Sequence, residues 1–245
     1  MNTSPVATAL ASLTERIGNA AKRAGRSPSD IRVLLATKTV PVEIIRIAVG
    51  RGFRLLGENR IQELRGKHGA LSELSPEWHF IGHLQSNKVP DAVRFASCVE
   101  SVDRLELAER LHRCLEAGDQ TLDVLVQINT SGETSKYGVM PSDALALVRR
   151  IATSCPRLRI RGLMTLARFS SDETVVRPCF STLRQTAGQI RERAIESVRM
   201  DVLSMGMSHD FEWAIEEGAT QVRIGTLVFG ARQFSDAHYW PAAAP

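Results

Sequence analysis

Apolar positions along the chain alternate between two rhythms. Short runs of aliphatic and β-branched residues, of strand length, are separated by longer stretches in which apolar residues recur every three or four positions. The runs occupy residues 31–37, 53–57, 78–82, 97–101, 122–129, 158–164, 200–205 and 221–225. Between them, stripes such as Leu105, Ala108, Leu111 and Leu115 give each helix one apolar face. This alternation is the pattern of βαβ units around a parallel sheet, and eight strands are what a closed barrel needs. A further helix over residues 8–28, with Leu10, Leu13, Ile17 and Ala21 on one face, precedes the first run. The pattern predicts an α/β fold, a single-domain (β/α)8 TIM barrel with an extra N-terminal helix, over residues 1–245 with a tail at 236–245, of which Pro241-Ala-Ala-Ala-Pro245 is plainly dispensable. Pro41 opens a helix that Gly50 or Gly52 can stop. Asp103 and Ser208 are candidate N-caps of helices ending before Gly118 and Gly218.

Composition narrows the function classes. With 43% hydrophobic and 24% charged residues, the 245-residue chain can bury a sizeable core, and no low-complexity linker divides it. The formal charge of +4 is spread in short groups such as Arg149-Arg150 and Arg157, Arg159 and Arg161. No aromatic residues interleave them, so they read as solvated surface and not as a nucleic-acid stripe. Cys98, Cys114, Cys155 and Cys179 form no C-x-x-C pair, which argues against a zinc cluster or a dithiol motif and for reduced, mostly buried thiols. No run approaches a membrane span. Glu15 and Arg16 interrupt the one weakly apolar stretch near the start, which argues against a secretory signal and for a cytoplasmic location. Arg16, Lys22, Arg23 and Arg26 leave an amphipathic transit segment open, although the stripe fits an ordinary helix at least as well.

In such a barrel, polar residues at the C-terminal strand ends face the active mouth. The first strand ends in Ala36-Thr37-Lys38-Thr39. A partly desolvated lysine there loses affinity for its proton and becomes a nucleophile toward an aldehyde, whereas taken alone it reads as a snorkelling side chain. The second ends in Gly57-Glu58-Asn59-Arg60-Ile61-Gln62-Glu63, whose carboxylates and amide either orient the lysine, line a cofactor ring, or form a polar helix start. His79 and His83 flank a strand end and a glycine, which suits a structural histidine better than a metal pair. The loop from Asn129 to Gly138 either closes over a ligand or is a turn of good turn residues.

The last two strands give the sharpest physical signal. Small residues stand where strand becomes helix in Leu203-Ser204-Met205-Gly206-Met207-Ser208 and again in Arg223-Ile224-Gly225-Thr226. Loops after the seventh and eighth strands, opening helix N-termini, are the usual phosphate cradle of this fold. Barrel closure sets the first strand beside the eighth, so the lysine and the cradle meet. An aldehyde-bearing phosphate, with pyridoxal phosphate the leading candidate, satisfies both.

These segments, with Trp78-His79-Phe80-Ile81-Gly82-His83-Leu84-Gln85-Ser86-Asn87-Lys88 and Arg161-Gly162-Leu163-Met164, run in order over almost the whole chain. Together they closely resemble the pyridoxal phosphate homeostasis protein family, of the YggS and PROSC type. The resemblance implies a fold like the N-terminal domain of alanine racemase, with Lys38 holding pyridoxal 5′-phosphate as a Schiff base. It implies Asn59 and Met205 at the cofactor, Ser204, Gly206, Gly225 and Thr226 near the phosphate, and Arg223 against the pyridine nitrogen. A permanent cation there disfavours ring protonation and weakens the cofactor as an electron sink. Thr37, His83 and Tyr137 depart from the commonest family pattern.

The implied function is intracellular vitamin B6 homeostasis without amino-acid conversion, with apo forms of pyridoxal-phosphate-dependent enzymes as partners, no nucleic-acid or membrane partner, and a monomeric state. A racemase-like enzyme is the alternative. Against it, no β-domain is expected after Arg232, and Tyr137 and Tyr239 are the only tyrosines available as a second acid or base. A sugar-phosphate enzyme using Lys38 as its Schiff-base residue would explain the cradle but not the joint motif set.

Overall fold

A computed structural model describes residues 4–230. The expected tail at 236–245, Arg232 and Tyr239 lie outside the described residues. Eight strands form a closed, all-parallel barrel in sequence order: β1 Arg32–Ala36, β2 Leu55–Glu58, β3 Glu77–Phe80, β4 Cys98–Val102, β5 Leu122–Ile128, β6 Leu158–Thr165, β7 Val198–Met207 and β8 Gln221–Ile224. The helices are α1 Pro5–Arg23, α2 Val42–Gly50, α3 Ile61–Ala70, α4 Val89–Phe95, α5 Leu105–Glu116, α6 Ala144–Ser154, α7 Glu173–Glu192, α8 Phe211–Glu216 and α9 Thr226–Phe229. Each predicted strand is present, with ends displaced by up to a few residues.

Strand alternation divides the buried residues into two sets. Outward residues such as Leu35, Leu56, Val99, Val126, Leu163 and Val222 join the helix faces, including Leu107, Leu111 and Leu115 of α5, in one continuous core. Burying one such leucine contributes roughly 1.5–3 kcal/mol. Inward positions carry a small apolar cluster of Cys98, Leu125 and Met164, together with Glu100, Ser204, Gln221 and Arg223, whose hydrogen bonds cross the barrel interior. β1 closes the ring against β8, with Leu34 opposite Arg223 and Leu35 opposite Ile224.

The extra helix is α1, and it runs over Pro5–Arg23 instead of 8–28. Pro5 pre-sets the first turn, and beyond Arg23 the chain leaves the helix through Gly25 at φ +65°. Ser27 then caps a separate 3-10 turn over Pro28–Asp30. α8 and α9 are only six and four residues long, and α1 packs across both. Arg16 forms a two-pronged bond to Glu212, and Arg26 Nη1 donates to the carbonyls of Ile215 and Ala219.

Two expected caps are corrected. The Asp103 carboxylate accepts from Arg104 Nη1 at 2.6 Å and makes no cap bond to α5. Ser208 does not cap α8, whose N-cap position is Asp210. Its hydroxyl turns toward the next strand–helix unit.

Candidate functional site

The junctions after β7 and β8 form one crevice. Ser208 Oγ accepts from the main-chain N–H groups of Gly225 at 3.2 Å and Leu227 at 3.3 Å, so the start of α9 and the end of β7 are joined by one hydroxyl. The first N–H groups of a helix lack intrahelical acceptors and suit an anion, and here the serine hydroxyl occupies two of them. Gly225 also presses against β1: a Cβ there would lie 3.3 Å from the Ala36 carbonyl oxygen. Lys38, half-buried two residues beyond Ala36, therefore stands at the edge of this crevice. On the other side of β1, at the end of β2, Asn59 Oδ1 is buried without a hydrogen-bond partner among the described residues. An unfilled acceptor, a glycine-lined crevice and a lysine at its edge fit a phosphate-bearing aldehyde.

Two of the expected cofactor residues lie deeper in the barrel wall. Ser204 pairs with Gln221 at the start of β8, four residues below Gly225. It is wholly buried, and its hydroxyl is shared among Glu100, Arg223 and Gln221. Met205 faces the outer core and is likewise fully buried. Gly206, at φ +89°, lies where β7 turns toward α8. A Cβ there would sit 2.5 Å from Ala214 Cβ, so only glycine fits. Ser208 is the residue the sequence reading passed over as a helix cap.

Arg223 stands below the crevice, inside the barrel. Nη1 donates to the Ser204 carbonyl at 2.8 Å and to its hydroxyl at 2.7 Å, and Nη2 donates to the Thr165 carbonyl at 2.7 Å. Burial lowers its pKa from the ordinary arginine value, opposed by the charges of Glu100 and Asp210. Glu100, in the middle of β4, is the counter-charge. Burial pushes its carboxyl up, but hydrogen bonds from His79 and Ser204 and the charges of His79 and Arg223 prevail and lower it. Burial also opposes the charge on His79, yet its bonds to Glu100 at 2.5 Å and Glu77 at 3.0 Å win and raise it to about 9. His79 is thus structural, as expected, and protonated. Glu100 was missed in the sequence, where the one available signal is an acid inside the apolar run Cys98-Val-Glu-Ser-Val102.

A second buried charge group stands at the Lys38 end. Thr37 Oγ1 donates to Glu58 Oε1 at 2.6 Å, and Lys67 Nζ donates to Glu58 Oε1 and Glu63 Oε2. Burial raises the Glu58 carboxyl to about 7, partly opposed by Lys67. The Asn129 loop is organised from within: Asn129 Nδ2 donates to the carbonyls of Glu133 and Lys136, and its Oδ1 accepts from Ser131 and Gly132. Tyr137 from this loop stacks on His83, ring centroids 3.7 Å apart.

The cavity of about 230 Å³ at the opposite, N-terminal mouth is not the candidate site. Among its lining residues, Arg32 pairs with Glu77 at 2.6 Å and Arg159 with Asp123 at 2.5 Å, at strand beginnings far from Lys38. Among the described residues, no helix is long and apolar enough to cross a membrane.

Comparison with known proteins identifies the fold and the family. Residues 9–233 match the family model described as alanine racemase, N-terminal domain. The pyridoxal phosphate homeostasis protein of Aquifex aeolicus is 42% identical, covering 92% of this chain and 97% of its relative. A protein of unknown function from Bifidobacterium adolescentis superposes with a TM-score of 0.87 at 37% identity, over 92% of this chain and 94% of the other. PipY of Synechococcus elongatus, in a structure with pyridoxal phosphate bound, gives 0.75 at 33% identity over 89% and 99%. Alanine racemase of Clostridium difficile shares the fold alone, with 13% identity and a TM-score of 0.70 over 91% of this chain and 56% of the racemase.

Proposed function

The chain belongs to the pyridoxal phosphate homeostasis protein family, and on that premise we propose that it holds pyridoxal 5′-phosphate reversibly through Lys38. The observation that carries this reading is the β1–β8 register, which brings the Lys38 strand end against the Gly225 crevice. When bound, the cofactor supplies an aldehyde with which a neutral lysine amine condenses, a carbon–nitrogen double bond forming as one water leaves.

Lys38 supplies that amine. Gly206, Ser208, Gly225 and Thr226 would hold the phosphate at the ends of β7 and β8, and Asn59, just beyond β2, would offer its unfilled Oδ1 to the cofactor. Arg223 would meet the pyridine nitrogen, and Ser204 would act one step behind it by accepting from its guanidinium. Because that cation is hydrogen-bonded into the barrel and balanced by Glu100, it resists giving a proton to the ring. The site therefore suits holding the aldehyde more than stabilising a carbanion.

A non-enzymatic carrier in the cytoplasm, passing the cofactor to apo-enzymes, is the role this supports. Tyr137, stacked flat on His83, gives no support for a second acid or base. The test is direct: apo-protein mixed with pyridoxal 5′-phosphate turns yellow, borohydride fixes the label on the Lys38 peptide, and Lys38→Ala loses both. Colourless, unlabelled wild-type protein would overturn the proposal. Racemisation of alanine by the yellow protein would overturn its non-enzymatic part.

A further inference from the structure

Lys38 lies in a tight turn between β1 and Pro41, and the residues on either side of it are gripped by one charge group. Thr37, wholly buried, gives its hydroxyl hydrogen to Glu58 Oε1 at 2.6 Å, and its carbonyl accepts from Lys67 Nζ at 2.7 Å. Thr39 is held in the left-handed region at φ 63°, and its N–H donates to Glu63 Oε2 at 2.7 Å. Lys67 Nζ completes the circuit with bonds of 2.7 Å to Glu58 and 2.9 Å to Glu63. All three ammonium hydrogens are used, and the residue is only 9% exposed.

Buried lysine–carboxylate groups are commonly no more than satisfied ion pairs. This one differs in where its free ends attach. One bond of Lys67 goes to the carbonyl just before Lys38, and one of its carboxylate partners holds the amide just after. A β-branched residue at positive φ is strained, and it persists only where surrounding bonds over-determine it. Glu63 supplies that bond at Thr39, and Lys67 fixes Glu63. A second feature is the other oxygen of Glu58, Oε2, which is buried with no partner among the described residues. The bonded oxygen, Oε1, serves both Thr37 and Lys67.

We infer that Lys67 is a positioning residue for Lys38: by tying Glu58, Glu63 and the Thr37 carbonyl together, it holds the Lys38 backbone in the turn from which the amine meets the aldehyde. The inference rests on the function proposed above. The step concerned is the condensation itself, in which the Lys38 nitrogen bonds to the aldehyde carbon and the aldehyde oxygen leaves as water with two hydrogens taken from the amine. Such a step is sensitive to displacement of the reacting atom by as little as an ångström.

The experiment compares wild-type apo-protein with Lys67→Met, which keeps the aliphatic stem, and with Glu63→Gln, a milder change at a partly exposed position. Two probes are used. Pyridoxal 5′-phosphate reports covalent capture by Lys38 through its visible absorbance and its pH midpoint, and pyridoxine 5′-phosphate, which has no aldehyde, reports occupancy of the crevice alone. Both variants are expected to bind pyridoxine 5′-phosphate as the wild type does. They should capture the aldehyde about ten- to a hundredfold more slowly and with a displaced pH midpoint. Unchanged capture rate and midpoint in Glu63→Gln and Lys67→Met would overturn the inference. So would an equal loss of both probes, which would make Lys67 a prop of the whole pocket. Should Lys67→Met fail to fold, Glu63→Gln alone decides. Failure of the wild type itself to capture the aldehyde would instead overturn the proposed function, from which these outcomes are distinct.

Discussion

His79 Nδ1 lies 2.5 Å from Glu100 Oε1 inside the barrel, where neither residue is more than 4% exposed. The other Glu100 oxygen accepts from Ser204 at 2.6 Å, and Ser204 accepts from Arg223 at 2.7 Å. The position of the guanidinium beneath the mouth is thus set by a carboxylate that a histidine holds from the far side. A buried cation needs such a counter-charge, because removing one partner leaves the other charged and unpaired.

The first prediction concerns alkaline stability. His79 has a folded pKa near 9 against an ordinary 6.5, so its contribution is complete below about 6.5 and is lost as pH rises through 9. Its full size is about 3 kcal/mol. Urea midpoints measured from pH 6 to 9.5 should fall, and His79→Gln should flatten that fall. An identical slope in the variant would refute the charged state assigned to His79.

Two serines four residues apart should separate cleanly. Ser204→Ala leaves Glu100 and Arg223 each one partner short and should cost about 1–3 kcal/mol in urea unfolding. Ser208→Ala, at the crevice, should cost about 1 kcal/mol or less while weakening pyridoxine 5′-phosphate binding roughly tenfold. The reverse pattern would restore Ser204 to the phosphate.

What could be read in advance follows from period. Strand and helix repeats are local, so the eight β/α units, the barrel and the strand-end position of Lys38 were legible in the order of apolar residues. The depth of Ser204 is hidden because a strand contributes residues at several depths, and depth depends on register against β8, which a linear pattern does not record. Glu100 and Lys67 were passed over for a related reason. Each takes its meaning from distant partners, Thr37 30 positions from Lys67 and Gln221 121 positions from Glu100, which meet when the barrel closes.

The glycines of the two junctions should behave differently. Gly206→Ala must relieve a 2.5 Å approach to Ala214 Cβ at φ +89° and should cost about 1–3 kcal/mol of stability. Gly225→Ala adds a methyl 3.3 Å from the Ala36 carbonyl, a contact that small shifts accommodate, but it fills the crevice. Its urea midpoint should stay near that of the wild type while affinity for pyridoxal 5′-phosphate falls about tenfold or more. Calorimetric titration of both variants checks the pair.

The last prediction isolates Glu58. Burial raises its carboxyl to about 7 from an ordinary 4.5, against the pull of Lys67. A raised folded pKa means that the protonated form is favoured in the native state. Its contribution is complete below about 4.5 and is lost as pH rises through 7, by up to about 3 kcal/mol. Glu58→Gln has nothing to ionise, so relative to the wild type it should be more stable at pH 8 than at pH 5, in paired urea titrations. Between 6.5 and 7 this loss overlaps that of His79, which makes the double variant with His79→Gln informative: its stability should fall less with pH than that of either single variant. A stability difference between Glu58→Gln and the wild type that is the same at both pH values would show the carboxylate ionised throughout. In that case the Lys67 ammonium, bonded to it at 2.7 Å, outweighs the burial that encloses them both.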